Sequence, residues 1–111
     1  MKRLLSAIVV AMFATPGTAD DTVKTVGEWL SELSRMEETV RQSDRETGRV
    51  AHGAAEAAIL AIRSADLALR AYELDPTERN RIEVQISVKR AYAETTGFID
   101  KAARRLGGVP D

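Results

Sequence analysis

The chain has 111 residues, with 16 basic and 17 acidic side chains, one histidine and no cysteine. The absence of cysteine excludes disulfides, thiol catalysis, Cys-ligated zinc, iron–sulfur clusters and a lipid-modified cysteine. A length of this order suits one small domain, and a charge near neutrality gives no support to general nucleic-acid binding.

The first segment, MKRLLSAIVVAMFATPGTAD, has the three parts of an export signal: basic Lys2 and Arg3, an apolar run from Leu4 to Ala14, and helix-breaking Pro16 and Gly17 before small Ala19. The run is shorter than the roughly 20 apolar residues that a membrane helix needs. The expected organisation is therefore a signal peptide over 1–19, cleaved after Ala19, and a single small helical domain over 20–111, periplasmic or secreted and without a stable membrane span once cleaved. Losing Lys2 and Arg3 leaves 14 basic against 17 acidic residues, a net charge of −3. Residues 20–46 hold eight acids and four bases, and residues 76–111 hold five acids and seven bases. Segments of opposite charge attract, within one molecule or between two.

Beyond the signal, proline is confined to positions 76 and 110, and the long stretch before Pro76 reads as helix. Helical stepping from Val26 through Trp29, Leu33, Met36, Val40, Thr47, Ala51, Ala54, Ala58, Ile62, Ala65 and Leu69 to Tyr72 keeps one face apolar or small without a slip in phase. Gly48 and Gly53 each weaken a helix by about 1 kcal/mol, which kinks more readily than it terminates. Within this stretch Ala51, Ala54, Ala58, Ala61, Ala65 and Ala68 recur every three or four residues, a seam of small side chains suited to close packing against Val84, Val88, Ala91, Thr95 and Phe98. The same seam could serve self-association.

The sequence LDPTER then supplies Asp75 as expected N-cap, Pro76 at the first helical position and Glu78 as the capping-box acid. A second helix follows to about Leu106, with Arg104 and Arg105 in its last turn and Gly107-Gly108 ending it. Residues 82–88, IEVQISV, alternate like a strand, but a lone strand has no partner and its flanks are helical, so helix is expected. The fold class is thus all-α: an antiparallel helical hairpin with a long, possibly kinked first helix (about 22–74) and a second helix (about 76–106). The alternative is a three-helix bundle with a break near Gly48–Gly53.

In the hairpin, a second helix of about 30 residues covers only half of a first helix of about 50, at 1.5 Å per residue. Trp29, Leu30, Leu33, Met36 and Val40 would then be uncovered, which makes them the candidate interface residues.

Chemistry-bearing patterns are sparse. His52 with Glu56 is the single i, i+4 pair with metal-ligand character, and two ligands make only an adventitious site. Met36 and His52 are the obvious haem ligands, yet they lie about 24 Å apart on a straight helix, and there is no CxxCH. Ser43 and Ser64 lack the glycines of a nucleophile elbow, and the adjacent acids Glu37-Glu38 cannot face each other as a dyad. No catalytic, metal or cofactor-binding residue is assigned and no cofactor is expected. The expected function is an exported, non-enzymatic helical interaction protein, an assembly factor, adaptor or chaperone-like subunit, that meets a protein partner or a second copy through an apolar helix face. The alternative is a small-molecule or cofactor carrier with a pocket lined by Trp29, Met36, Tyr72, Tyr92 and Phe98.

Overall fold

The computed structural model describes residues 9–11 and 23–108. Apart from Val9–Ala11, the expected signal peptide and its cleavage point after Ala19 lie outside the described residues. Val9–Ala11 (β1) pairs antiparallel with Val23–Thr25 (β2), Val10 standing opposite Lys24. Three helices make up the fold: α1 over Val26–Glu46, α2 over His52–Leu74 and α3 over Glu78–Leu106. No helix among the described residues is long and apolar enough to cross a membrane.

Helix α1 starts where Thr25 can cap it. The Thr25 hydroxyl accepts from Glu28 N at 3.1 Å, and Glu28 Oε1 accepts from Thr25 N at 2.8 Å, so two orphan amides are satisfied by one reciprocal box. Those bonds, the backbone amide of Thr25 first, hold the Glu28 carboxyl below its ordinary pKa.

The single helix expected over about 22–74 is not what forms: it is interrupted at Thr47–Ala51. Gly48 adopts φ 69°, and the amides of Gly48 and Arg49 turn back to Arg45 O (3.1 Å) and Asp44 O (2.9 Å). This is the Schellman pattern, in which a left-handed residue just past the helix pairs its last carbonyls. Gly48 therefore acts as a helix stop and not as a weak interior position. Arg49 follows at φ 61°, a conformation that costs a residue with a Cβ about 1–2 kcal/mol. The unbroken phase of the apolar face was no guide here, because a helix that folds back onto its predecessor keeps the same buried face as one that continues.

The second expectation to be corrected concerns the turn. Thr77, not Asp75, caps α3: its backbone is extended (φ −89°, ψ 162°) and its hydroxyl accepts from Asn80 N at 3.1 Å. Asp75 instead closes α2, and its carbonyl receives both Thr77 N (2.8 Å) and Asn80 Nδ2 (2.9 Å). Pro76, with its fixed φ and no amide to satisfy, is the middle residue of the three-residue turn closed by the Thr77 N–Asp75 O bond. From there α3 runs unbroken through Ile82–Val88, so the alternation in that stretch is helical, with Val84 and Val88 buried and Ile82 and Ile86 exposed.

One core joins the helices. Trp29, Leu33 and Val40 of α1, Ala58, Ile62, Ala65 and Leu69 of α2, and Val84, Val88, Ala91 and Phe98 of α3 are all buried in it. The α2–α3 contact is the larger and α1 lies mainly on α2. Ala51, Ala58, Ala61 and Ala65 of the small-residue seam are buried within this chain, with Ala54 and Ala68 packed at its margin.

Candidate functional site

The five residues expected to form an uncovered face are in the chain's own interior. Trp29, Leu33 and Val40 are buried, and Leu30 and Met36 pack against them at the edge of the core. The fold-back at Gly48 brings α1 onto α2 and removes the exposed apolar surface that the hairpin implied. The aromatic set proposed as a pocket lining fills the same core: Phe98 and Trp29 are fully buried, and the Tyr92 ring meets the Trp29 ring edge-on at 6.5 Å between centroids. Burial, and then the nearby Glu32, raise the Tyr92 phenol above its ordinary pKa. Lys24 stands over the other part of the Trp29 ring at 4.8 Å, a cation–π contact.

Besides the exposed Ile82, Ile86, Ile99 and Leu106 of α3, two surfaces are open to chemistry or binding among the described residues. The first is the corner between α1 and α2. His52 Nδ1 lies 2.7 Å from Asp44 Oδ2, which ties the first residue of α2 to the last turn of α1. Asp44 is buried, and its Oδ1 has no hydrogen-bond partner among the described residues. The other imidazole nitrogen is 3.8 Å from Glu56 Oε1. Arg105, from the end of α3, donates to Val50 O at 2.6 Å and clamps the corner from below.

A cleft of about 430 Å³ opens at the pair, lined by Asp44 and His52 themselves, by Arg41, Arg45, Arg49, Arg63 and Glu56, and by Ile59 and Leu60. Arg41 and Arg63 share Glu37, at 2.9 and 3.3 Å, and so bridge α1 to α2. Burial pushes the Glu37 carboxyl up, but the two guanidinium groups outweigh it and hold the carboxyl below its usual value. A carboxylate–imidazole pair can orient a general base, yet no hydroxyl or thiol lines this cleft for it to activate. Among the described residues no group of three or more His, Asp or Glu is placed to hold a metal ion. The Asp44–His52 contact is thus best understood as the latch of the α1–α2 corner.

The second surface is the outward side of α2. Leu60, Leu67 and Leu74 are 67, 69 and 79% exposed, although each stands on a helix whose opposite side is core. Between them the exposed positions Ala57, Ser64 and Ala71 are small. These six residues alternate at spacings of three and four along one line. Charge is kept to the flanks, with Glu56, Arg63 and Arg70 down one side. Ion pairs within the helix, such as Arg70 with Asp66 at 2.6 Å, sit on the flank and leave the stripe open.

Sequence reasoning traced only one apolar face along residues 26–72 and passed over this one. The seven-residue recurrence of leucine at 60, 67 and 74 was the signal that could have found it. No known protein family, curated protein or solved structure matches the chain.

Proposed function

We propose that this protein is exported, folds as a closed three-helix bundle, and works without catalysis as an interaction protein whose docking surface is the outward face of α2. The observation that carries the reading is that α2 has two apolar sides, one inward and one outward. Its inner side, with Ala55, Ala58, Ile62, Ala65 and Leu69, is covered by α1 and α3, while its outer side presents Leu60, Leu67 and Leu74 to solvent. A second apolar side on a helix whose first side is already in the core belongs against a partner, because leaving a leucine in water forgoes about 1.5–3 kcal/mol of burial. The interface candidates Trp29, Leu30, Leu33, Met36 and Val40 then have an indirect part: they hold α1 against α2 and keep the outer stripe straight and in place.

Site-directed photo-cross-linking in the exporting cell tests this. A photoreactive side chain at Leu67 is expected to give a covalent adduct, lost when Leu60→Lys is added, while the same side chain at exposed Thr39 of α1 gives none. Equal labelling at both positions, or none at either, contradicts the reading. The address is tested by the mass of the exported protein, which is expected to begin at Asp20.

A further inference from the structure

We infer that the occupant of the α2 stripe is the same stripe of a second copy, packed antiparallel about a two-fold axis at the level of Ile62. The inference rests on the reading of this face as a docking surface, and it adds the partner and the register. Written as a heptad, Leu60, Leu67 and Leu74 take the d positions, while Ala57, Ser64 and Ala71 take a. The stripe therefore alternates large and small. In a parallel pair leucine would meet leucine and alanine would meet alanine, leaving layers alternately crowded and hollow. In an antiparallel pair each a position faces a d position, so the four layers in which the two stripes overlap each hold one large and one small side chain.

Charge chooses the same orientation, and charge and packing together set the register. The flanking g positions are Glu56, Arg63 and Arg70, and the e positions on the other side are Ala54, Ala61 and Ala68. Parallel pairing would set charged g residues against alanines and gain nothing. Antiparallel pairing sets g against g. With Ser64 opposite Leu60 of the second copy and Ala57 opposite Leu67, Glu56 faces Arg70 of the second copy, and symmetry makes that contact twice. Arg63 meets its own counterpart at the axis, where each already has Glu37 of its own chain at 3.3 Å. Sliding one heptad one way would set Arg63 against Arg70 twice; sliding one heptad the other way keeps an attractive pair, Glu56 with Arg63, but leaves Ala57 opposite Leu60 as the one kind of mixed layer.

Sedimentation equilibrium of the full chain tests the assembly, and spin labelling tests its geometry. The wild-type chain is expected as a dimer and the Leu60→Lys/Leu67→Lys variant as a monomer of unchanged helicity. Because the chain lacks cysteine, Asp75→Cys carries one spin label per copy at an exposed position. The antiparallel register separates the two labels by about 39 Å along the axis, whereas parallel packing brings them to about 10 Å. Glu56→Arg is expected to weaken the dimer about tenfold, and Glu56→Arg/Arg70→Glu to recover it. A dimer that survives the double lysine variant, a short label distance, or no recovery in the swapped pair overturns the inference. A monomeric wild type overturns it too. If that monomer still binds a helical partner in a stripe-dependent way, the docking reading stands without the homodimer; if no association depends on the stripe, both fall.

Discussion

Helices α1 and α2 each carry a stripe of large apolar side chains, yet Trp29, Leu33 and Val40 are covered by the chain itself while Leu60, Leu67 and Leu74 are left in water. The difference lies in what surrounds each stripe. On α1 the apolar line is the helix's one apolar side, and folding at Gly48 places it on α2. On α2 there are two such sides, and three helices of this length can cover only one of them. Apolar residues in a line therefore mark an intramolecular core or an interface according to whether the helix has another face with which to join the core.

Substitutions separate the two stripes most sharply. Trp29→Ala is expected to cost about 3–5 kcal/mol in urea unfolding, and Leu33→Ala about 2–5, because each leaves a cavity in a packed core. Leu67→Lys in a dilute, dissociated chain is expected to change stability by less than about 0.5 kcal/mol. An equal loss at Leu33 and Leu67 would erase the distinction.

The corner that folds α1 onto α2 comes next in size. His52→Ala leaves the buried Asp44 carboxylate without its partner and is expected to destabilise by about 1–3 kcal/mol, with Asp44→Ala/His52→Ala recovering part of the loss. A fully additive double variant in thermal unfolding would show that the latch contributes nothing as a pair.

Glycine provides a smaller and opposite pair of effects. Gly48→Ala forces a Cβ into the left-handed region and is expected to cost about 1–2 kcal/mol. Gly97, inside α3 with open space around its Cα, is expected to gain about 0.5–1 kcal/mol when replaced by alanine. The sharpening outcome is that signs differ between two glycines alike in sequence.

Acid titration gives the smallest effect. The Glu37 carboxyl is held low by Arg41 and Arg63, so its folded form binds a proton less readily than its unfolded form. Its contribution to stability is full above the ordinary value of 4.5 and fades as pH falls through the lower folded value. Glu37→Gln should flatten the stability profile in that acid range. A wild-type profile no steeper than that of the variant would remove Glu37 from the account.

Much of this architecture was legible in the residues. Pattern and composition identified the helical stretches, though not the strand at Val23–Thr25 where helix was expected from about residue 22, and they identified the alanine seam against Val84, Val88, Ala91 and Phe98 and the end of α3 at Gly107-Gly108, because buried spacing and chain-terminating glycine act locally. The break near Gly48 was legible only as the alternative, because the propensity of glycine is the same number at a helix interior and at its stop. What decides is the pair of backbone bonds from Gly48 and Arg49 to Arg45 and Asp44, which appear only once the chain has turned. Likewise, Thr77 and Asp75 are both good caps in isolation, and the backbone bonds across Pro76 select between them. The exposed stripe was hidden for another reason: a helix with two apolar faces yields a continuous trace along either, and following one conceals the other.

The rate at which a thiol placed on each stripe is alkylated, measured across protein concentration, tests most directly whether α1 faces the core and α2 faces a partner. Leu33→Cys is expected to react slowly at every concentration, because the chain itself covers it. Leu67→Cys is expected to react fast when dilute and to become protected as concentration rises. Fast reaction of Leu67→Cys at all concentrations would contradict the account, as would slow reaction in the dilute, dissociated chain.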